Sequence, residues 1–258
     1  MTRARMAVEV PRLLRTWPTY FRDYAGAARG DVTYELRNGV RFLVRSGTTD
    51  RNIFNEVWLH RTYTPSGFDI SPSDVVVDIG AHVGFFAMYA ATRGARVFAF
   101  EPFAGNFARL SRHRDLNPRW PITVTRTAVG AATGTARFYA AGTNEGGGSL
   151  FADTGRTAEA IDVPVQSLAE ALAGHRIAGV DFLKMDCEGA EYDILFAAAP
   201  DLLGRLGRIS MECHPEGGHQ VGDMVAFLRE HAFDVRVEPV GPLHMVHAVN
   251  TRRLPAPQ

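Results

Sequence analysis

Residues 75–86 read VVVDIGAHVGFF. Val75, Val76, Val77 and Ile79 make a short β-branched run of the kind a buried strand requires. Gly80 and Gly84 break the run, and a helix opens behind them. A second apolar run, RVFAF at 96–100, ends on an acid, Glu101. This strand–turn–helix–strand unit is the first half of a nucleotide-type binding site. Glycine lets backbone approach a ligand, a helix N-terminus offers free N–H groups, and an acid ending the second strand accepts from both ribose hydroxyls. The spacing is not the dinucleotide G-x-G-x-x-G, because Asp78 stands where the first glycine would be. An NAD-linked oxidoreductase is disfavoured on that ground.

Outward from this unit the pattern alternates. Strands are expected at 75–79, 96–101, 122–127, 180–187, 208–213, 233–238 and 244–250, with helices at 84–93, 103–115, 166–173, 189–198 and 219–231. A short strand at 136–140 and a glycine-rich stretch at 142–149 interrupt the series. The order predicts an α/β fold: a doubly wound, mostly parallel seven-stranded sheet with helices on both faces, its last two strands forming a hairpin. Ligands bind such sheets at the carboxyl ends of the strands. We assign residues 71–258 to this domain. Residues 1–70 form an N-terminal extension, with short helices in 4–27, a hairpin at 33–44 turning on Asn38-Gly39, and helical spacing over 50–63. The extension reads as a packing arm, a substrate cap or the arm of a homo-oligomer.

The 28 basic and 28 acidic residues among 258 cancel, so no charge excess points to nucleic acid. No apolar stretch approaches the roughly 18–20 residues of a membrane span. Two cysteines give no disulfide framework and fit a reducing cytoplasm, and the basic N-terminus lacks the long apolar segment of a secretory signal.

D-x-G-x-x-x-G followed by a strand-end acid resembles the class I S-adenosylmethionine (SAM) methyltransferases. The resemblance implies that Asp78, Gly80 and Gly84, with Ala81, His82 and Phe85 between and beyond them, line the methionine end of the cofactor. Glu101 takes the ribose, Pro102 and Phe103 offer a flat wall to adenine, Asn106 lies one helical turn on, and Ala128 and Val129 present backbone to the adenine edge. Taken singly, Asp78 could be a helix cap and Glu101 a surface acid; their order on alternating elements argues for a site.

A second constellation is DFLKMDCEGAE at 181–191. Lys184, Asp186, Glu188 and Glu191 crowd the end of an apolar strand, and isolated buried charges are costly, so partners or a ligand are required. Lys184 and Asp186 fall on one strand face and could pair. Glu191 is accounted for by the following helix dipole. The strand at 208–213 ends in Glu212, Cys213 and His214, so Asp186, Glu212 and His214 should converge above the sheet. His214 has the intrinsic pKa of a general base near neutrality.

VVVDIGAHVGFF, VFAFEPFAGNF, TAVG, GGGSLF, DFLKMDCEGAEYDIL and ISMECHP, spread over 74–215, together resemble the FkbM family of SAM-dependent methyltransferases. That resemblance implies a Rossmann-like fold, SAM as cofactor, and methyl transfer to a hydroxyl of a small secondary metabolite of sugar or polyketide type. His214 or Asp186 would serve as base, Asp186 also bordering the cofactor, with Glu188, Glu212 and Lys184 positioning the acceptor or its neighbours. Absence of an Asn/Asp-Pro-Pro-aromatic tetrad argues against amide or adenine N6 methylation. Two alternatives stay open. A non-catalytic SAM-binding protein is one. The other is a Mg²⁺-assisted enzyme holding the ion on Asp186 and Glu212 to chelate a vicinal diol; it is not favoured, because Lys184 could satisfy Asp186 without metal. Zinc on Cys187, Cys213 and His214 is set aside, since no CxxC pair exists and a strand cysteine between two acids should point to the buried face.

Overall fold

A computed structural model describes residues 3–140, 159–215 and 218–253. Helices α1 (Arg3–Leu13) and α2 (Trp17–Tyr24) lead into a hairpin of β1 (Asp31–Glu35) and β2 (Arg41–Arg45). The Asn38-Gly39 turn differs from the tight type I′ form expected. Only Gly39 takes a positive φ (98°), and Asn38 Oδ1 accepts from Val40 N at 3.1 Å, so the strands close through a longer loop. Helix α3 (Asp50–Asn55) runs on as one π-helical turn, Glu56–His60, which Arg61 ends in left-handed conformation at φ 55°.

The main sheet comes next. In chain order stand β3 (Val75–Ile79), α4 (Phe85–Thr92), β4 (Arg96–Phe100), α5 (Ala104–Leu116), β5 (Ile122–Thr125), β6 (Ala128–Gly130), β7 (Gly134–Ala140) and β8 (Glu159–Ser167). Then come α6 (Leu168–Gly174), β9 (Val180–Met185), α7 (Glu191–Phe196), α8 (Pro200–Gly204), β10 (Leu206–Cys213), α9 (Val221–Glu230), β11 (Phe233–Val240) and β12 (Leu243–Asn250). Seven strands are ordered β11-β12-β10-β9-β3-β4-β5. Only β12 runs against its neighbours: it forms the expected hairpin with β11 and slots between β11 and β10. The strand order reverses between β3 and β9, which is where a doubly wound sheet opens its binding crevice.

A small second sheet, β6-β8-β7, was not expected. It extends β8 through Ser167, which then caps α6 by accepting from Glu170 N at 3.2 Å, so the helix starts two residues later than its apolar spacing suggests. The glycine-rich stretch at 142–149 lies outside the described residues.

Strand alternation divides two cores. Val76, Val97, Ala99 and Phe182 face one; Val77, Phe98, Phe100 and Leu183 face the other. Helices α6 to α9 cover the second face. On the first face lies α4, in which Phe85 to Ala91 are all buried. A helix apolar on every side needs cover on both, and the N-terminal extension supplies it. Phe54, Trp58 and Phe42 stack edge-on or parallel against one another and against Phe85 and Tyr89, with ring centroids 5.0–6.2 Å apart. His113 of α5 pins the hairpin to the glycine loop: Nδ1–H donates to Val83 O at 2.8 Å while Nε2 accepts from Leu43 N at 2.9 Å. The hydrophobic core therefore does not break at residue 70. Among the described residues no helix is long and apolar enough to cross a membrane.

Candidate active site

The turn after β3 is shaped by two close approaches. Gly80 (φ 73°) lies against the chain leaving β9, and a Cβ there would stand 1.8 Å from Asp186 O. Gly84 (φ 88°) begins α4, and a Cβ there would meet Leu110 Cδ1 at 2.3 Å. These contacts bring the ends of β3, β4 and β9 around one cleft, lined on its far side by the extension.

Parallel pairing sets Asp78 opposite Lys184 on the same sheet face. Lys184 Nζ lies 3.1 Å from Asp78 Oδ1 and donates to Gly80 O at 2.7 Å, so the pair fixes the loop from beneath. Both side chains are buried. Burial pushes the Asp78 carboxyl up, and Asp78 holds the Lys184 ammonium charged against its own desolvation. Lys184 pairs with Asp78 and not, among the described residues, with Asp186: β9 ends at Met185, so Asp186 lies past the strand, near enough to act on Lys184 only through its charge. Asp186 instead accepts from the buried Tyr63 hydroxyl at 2.8 Å.

Glu101 is held at the end of β4. One carboxylate oxygen accepts from His82 N (2.8 Å), the other from Phe103 N (2.9 Å). Burial pushes its carboxyl up to about 7, against those two bonds, which lower it. His82 has left-handed backbone (φ 52°), and its ring nitrogens are buried with no hydrogen-bond partner among the described residues. Burial takes that imidazole down to about 4, so it is neutral.

Of the residues assigned to the cofactor, Gly80, Ala81, His82, Phe85, Glu101, Pro102, Asn106, Ala128, Val129 and Asp186 line the cleft. Asp78 and Gly84 lie behind its wall. Phe103 packs instead against the small-sheet core of Ala128, Val163 and Val165, while its amide donates to Glu101. Sequence reasoning missed Tyr63, Ile53 and Val57, which the extension contributes to the wall, and Thr127. Ile53 and Val57 stand at i, i+4, a pair that could have been read as one apolar helix face aimed at the cleft.

The loop 186–190 reverses through two left-handed residues, Glu188 (φ 55°) and Gly189 (φ 106°). Glu191 closes it: its oxygens accept from Cys187 N (2.8 Å) and Gly189 N (2.9 Å), and one also receives His214 Nδ1 at 3.2 Å. Glu191 is therefore a structural clamp that also aims His214. Because β9 has ended, Cys187 follows no strand alternation: it packs against the second core and also borders the cleft. Burial, then Glu191, raises its thiol well above the ordinary range, so it is no thiolate nucleophile.

Asp186, Glu212 and His214 do converge, beside the cleft and above β9 and β10. Burial and the charge of Asp186 push Glu212 up to about 7; burial and Asp186 do the same to Glu56 of the π-helical turn. His214 lies 3.7 Å from Glu188 Oε2. Against burial, which lowers it, Glu191 with Asp186 and Glu188 pushes His214 up to about 10. At neutral pH it carries its proton and does not fit the role of base read from its intrinsic pKa.

Residues 78–235 match the family model described as the methyltransferase FkbM domain. The chain belongs to the FkbM methyltransferase family. Its relatives include the 31-O-demethyl-FK506 methyltransferase FkbM of Streptomyces tacrolimicus, 29% identical over 253 residues, which covers 86% of this chain and 96% of the relative. The AMB antimetabolite synthetase AmbE of Pseudomonas aeruginosa is 26% identical over 225 residues, 72% of this chain but 11% of that protein. Among solved structures, the methyltransferase FkbM from Methylobacillus flagellatus KT shares 17% identity at a TM-score of 0.48, over 75% of this chain and 47% of that one. The magnesium protoporphyrin IX methyltransferase ChlM from Synechocystis PCC 6803 shares 12% at 0.46, over 97% and 99%. As an FkbM-family enzyme this chain is a SAM-dependent methyltransferase. The residues present suit that cofactor: Glu101 offers a carboxylate to a ribose, and the neutral imidazole of His82 is a buried polar group awaiting a partner.

Proposed function

We propose that this enzyme methylates a hydroxyl of a small secondary metabolite of sugar or polyketide type. The observation that carries the reading is the cluster of carboxylates, Asp186, Glu188 and Glu212, at the strand ends beside the cleft that Glu101 marks at its other end. Bound SAM supplies an electrophilic methyl on a sulfonium, a leaving group already activated. The protein itself adds acceptor orientation, exclusion of water and removal of one proton.

Glu101 and His82 would hold the nucleoside and amino-acid portions of the cofactor from opposite sides of the glycine loop. Tyr63, Ile53 and Val57 of the extension close the cleft against water. An acceptor hydroxyl lying over Asp186 would surrender its proton to the carboxylate rim, and charged His214 would offset part of the rim's negative charge. The O-methyl direction is supported by the S. tacrolimicus relative, whose name places its methyl on an oxygen. Rim carboxylates suit acceptors rich in hydrogen-bond donors and repel anionic ones.

The test is calorimetric titration with SAM, then incubation with a panel of hydroxylated metabolites and detection of S-adenosylhomocysteine and O-methyl product. Saturable binding with turnover on a hydroxyl supports the reading. Binding without turnover on any acceptor favours the non-catalytic alternative, and absence of SAM binding removes the proposal. In the active enzyme, His214→Ala should lower turnover at least about tenfold through the lost charge while leaving SAM affinity within about twofold. Equal loss of both would move His214 into the cofactor site.

A further inference from the structure

β11 is the last strand at one edge of the main sheet, and among the described residues nothing pairs with its outer side. It is eight residues long, against four for β5 at the other edge. An open edge of that length is a template for another strand. Its first residues are covered, since Phe233 and Val235 pack with Met224 and Leu228 of α9 in the second core. From Arg236 to Val240 every residue is exposed, Val237 to 36% and Val240 to 42%. The extension, which the sequence offered as an oligomer arm, is committed to covering α4 of its own chain.

We propose that β11 pairs with β11 of a second copy of this chain, antiparallel about a two-fold axis at Val237, so that the main sheet runs on through both copies. The backbone is set for it. Val240 pairs with Leu243 across the two-residue turn Gly241-Pro242, whose first residue has φ 58°. The pair that closes such a turn exchanges both hydrogen bonds, and bonded pairs then alternate along the ladder. Arg236 and Glu238 therefore turn their backbone groups to β12. Val235, Val237 and Pro239 turn theirs to the open edge, where proline's missing N–H breaks no bond to β12. With the axis at Val237, its N–H donates to the carbonyl of the partner's Val237, and the partner returns the bond. Val235 N–H donates to the carbonyl of the partner's Pro239, again in both directions.

The side chains select this register. Arg236 and Glu238 lie on one face of β11, 3.1 Å apart and each about half exposed. Across the axis each Arg236 stands opposite the partner's Glu238, an opposite-charge cross-strand pair made twice. An edge guarded by charges of one sign would repel its own copy; this one attracts it. Val237 meets the partner's Val237 on the other face and loses its exposure. Moving the axis to Val235 would drive the two α9 helices together, whereas at Val237 they lie about 20 Å apart along the strands. An axis at Glu238 would set that acid against its own copy, and one at Pro239 would remove the central donors. A closed two-fold pair is also the commonest symmetry of assemblies of one chain. The pairing stands apart from the methyltransferase reading, since β11 lines no part of the cleft.

The test is sedimentation velocity on the full chain from about 1 to 100 µM, with Val237→Cys under a mild oxidant as the probe of the axis. Cα atoms of a bonded antiparallel pair lie about 5.5 Å apart, within disulfide reach. The expected result is a concentration-dependent dimer in which Val237→Cys forms an intermolecular disulfide. Val8→Cys, at an exposed position of α1, should not. Glu238→Arg should weaken dimerisation at least about tenfold by setting like charges opposite each other, and Arg236→Glu/Glu238→Arg should restore it. A wild-type chain that stays monomeric at about 100 µM overturns the proposal whatever the variants do. So does a dimer that Glu238→Arg leaves intact, that the double variant does not regain, or that Val8→Cys cross-links in place of Val237→Cys; each of these puts the interface on another surface.

Discussion

Glu101 is asked to be two things. The folded chain buries it, which favours the neutral acid, whereas ribose hydroxyls donate to the ionised form. The two demands have opposite signs in pH. Its folded pKa, about 7, lies above the ordinary 4.5, so between those values the folded state holds more protons than the unfolded. Stability from this group is complete below about 4.5 and falls as pH rises through about 7, by roughly 3 kcal/mol at most. SAM affinity should move the other way, improving up to about tenfold per unit as pH rises toward 7 and levelling above it. Glu101→Gln should flatten both profiles. Denaturation and calorimetry from pH 5 to 8, wild type against variant, check this, and parallel profiles in the two proteins would take Glu101 out of the ribose site. Gly80 poses a simpler demand. Gly80→Ala places a methyl against backbone at the mouth of β9, so SAM binding should be lost and the melting temperature lowered.

At the scale of elements, the strands and helices of the main sheet were legible because their periodicities are clean: Val75, Val76, Val77 and Ile79 make a run too β-branched for anything but a buried strand, even with Asp78 inside it. The misreadings share a cause. Pairing Lys184 with Asp186 assumes that β9 continues, when the chain leaves strand geometry at the residue that matters. Pro102 and Phe103 read as one wall, but the second ring packs against a small-sheet core that the sequence did not announce. Tyr63 carried no signal, since nothing in its neighbourhood announces a partner 123 residues away. Tyr63→Phe keeps the ring and removes that bond. Turnover should fall about tenfold, with stability lowered by about 1.5–3 kcal/mol, as for one hydrogen bond to a charged group. Unchanged turnover would make Tyr63 a wall residue only.

Across the whole molecule, the extension is the other half of a core. α4 is covered by the sheet on one side and by Phe54, Trp58 and Phe42 on the other. A chain beginning at residue 71 should therefore fail to fold cooperatively, exposing α4 and binding hydrophobic dyes, instead of surviving with altered specificity. Phe54→Ala in the full chain should cost about 3–5 kcal/mol, measurable by denaturant unfolding. A truncated chain with a sharp unfolding transition would show that the core stands without the extension. The sign was present in FFAMYAAT at 85–92, a helix with no polar face, which declares that something beyond the sheet must cover it.

The π-helical turn at Glu56–His60 ties these scales together. Such a turn holds one residue more than an α-turn of similar advance, and each helical residue turns the chain by about 100°. The gene for this chain thus carries a rotary adjustment: loss of a single codon in this stretch would swing the downstream chain by roughly a quarter-turn. Tyr63 would leave Asp186 while the aromatic packing upstream stayed in place. Acceptor choice could then change in one genetic step, without passing through an unfolded ancestor.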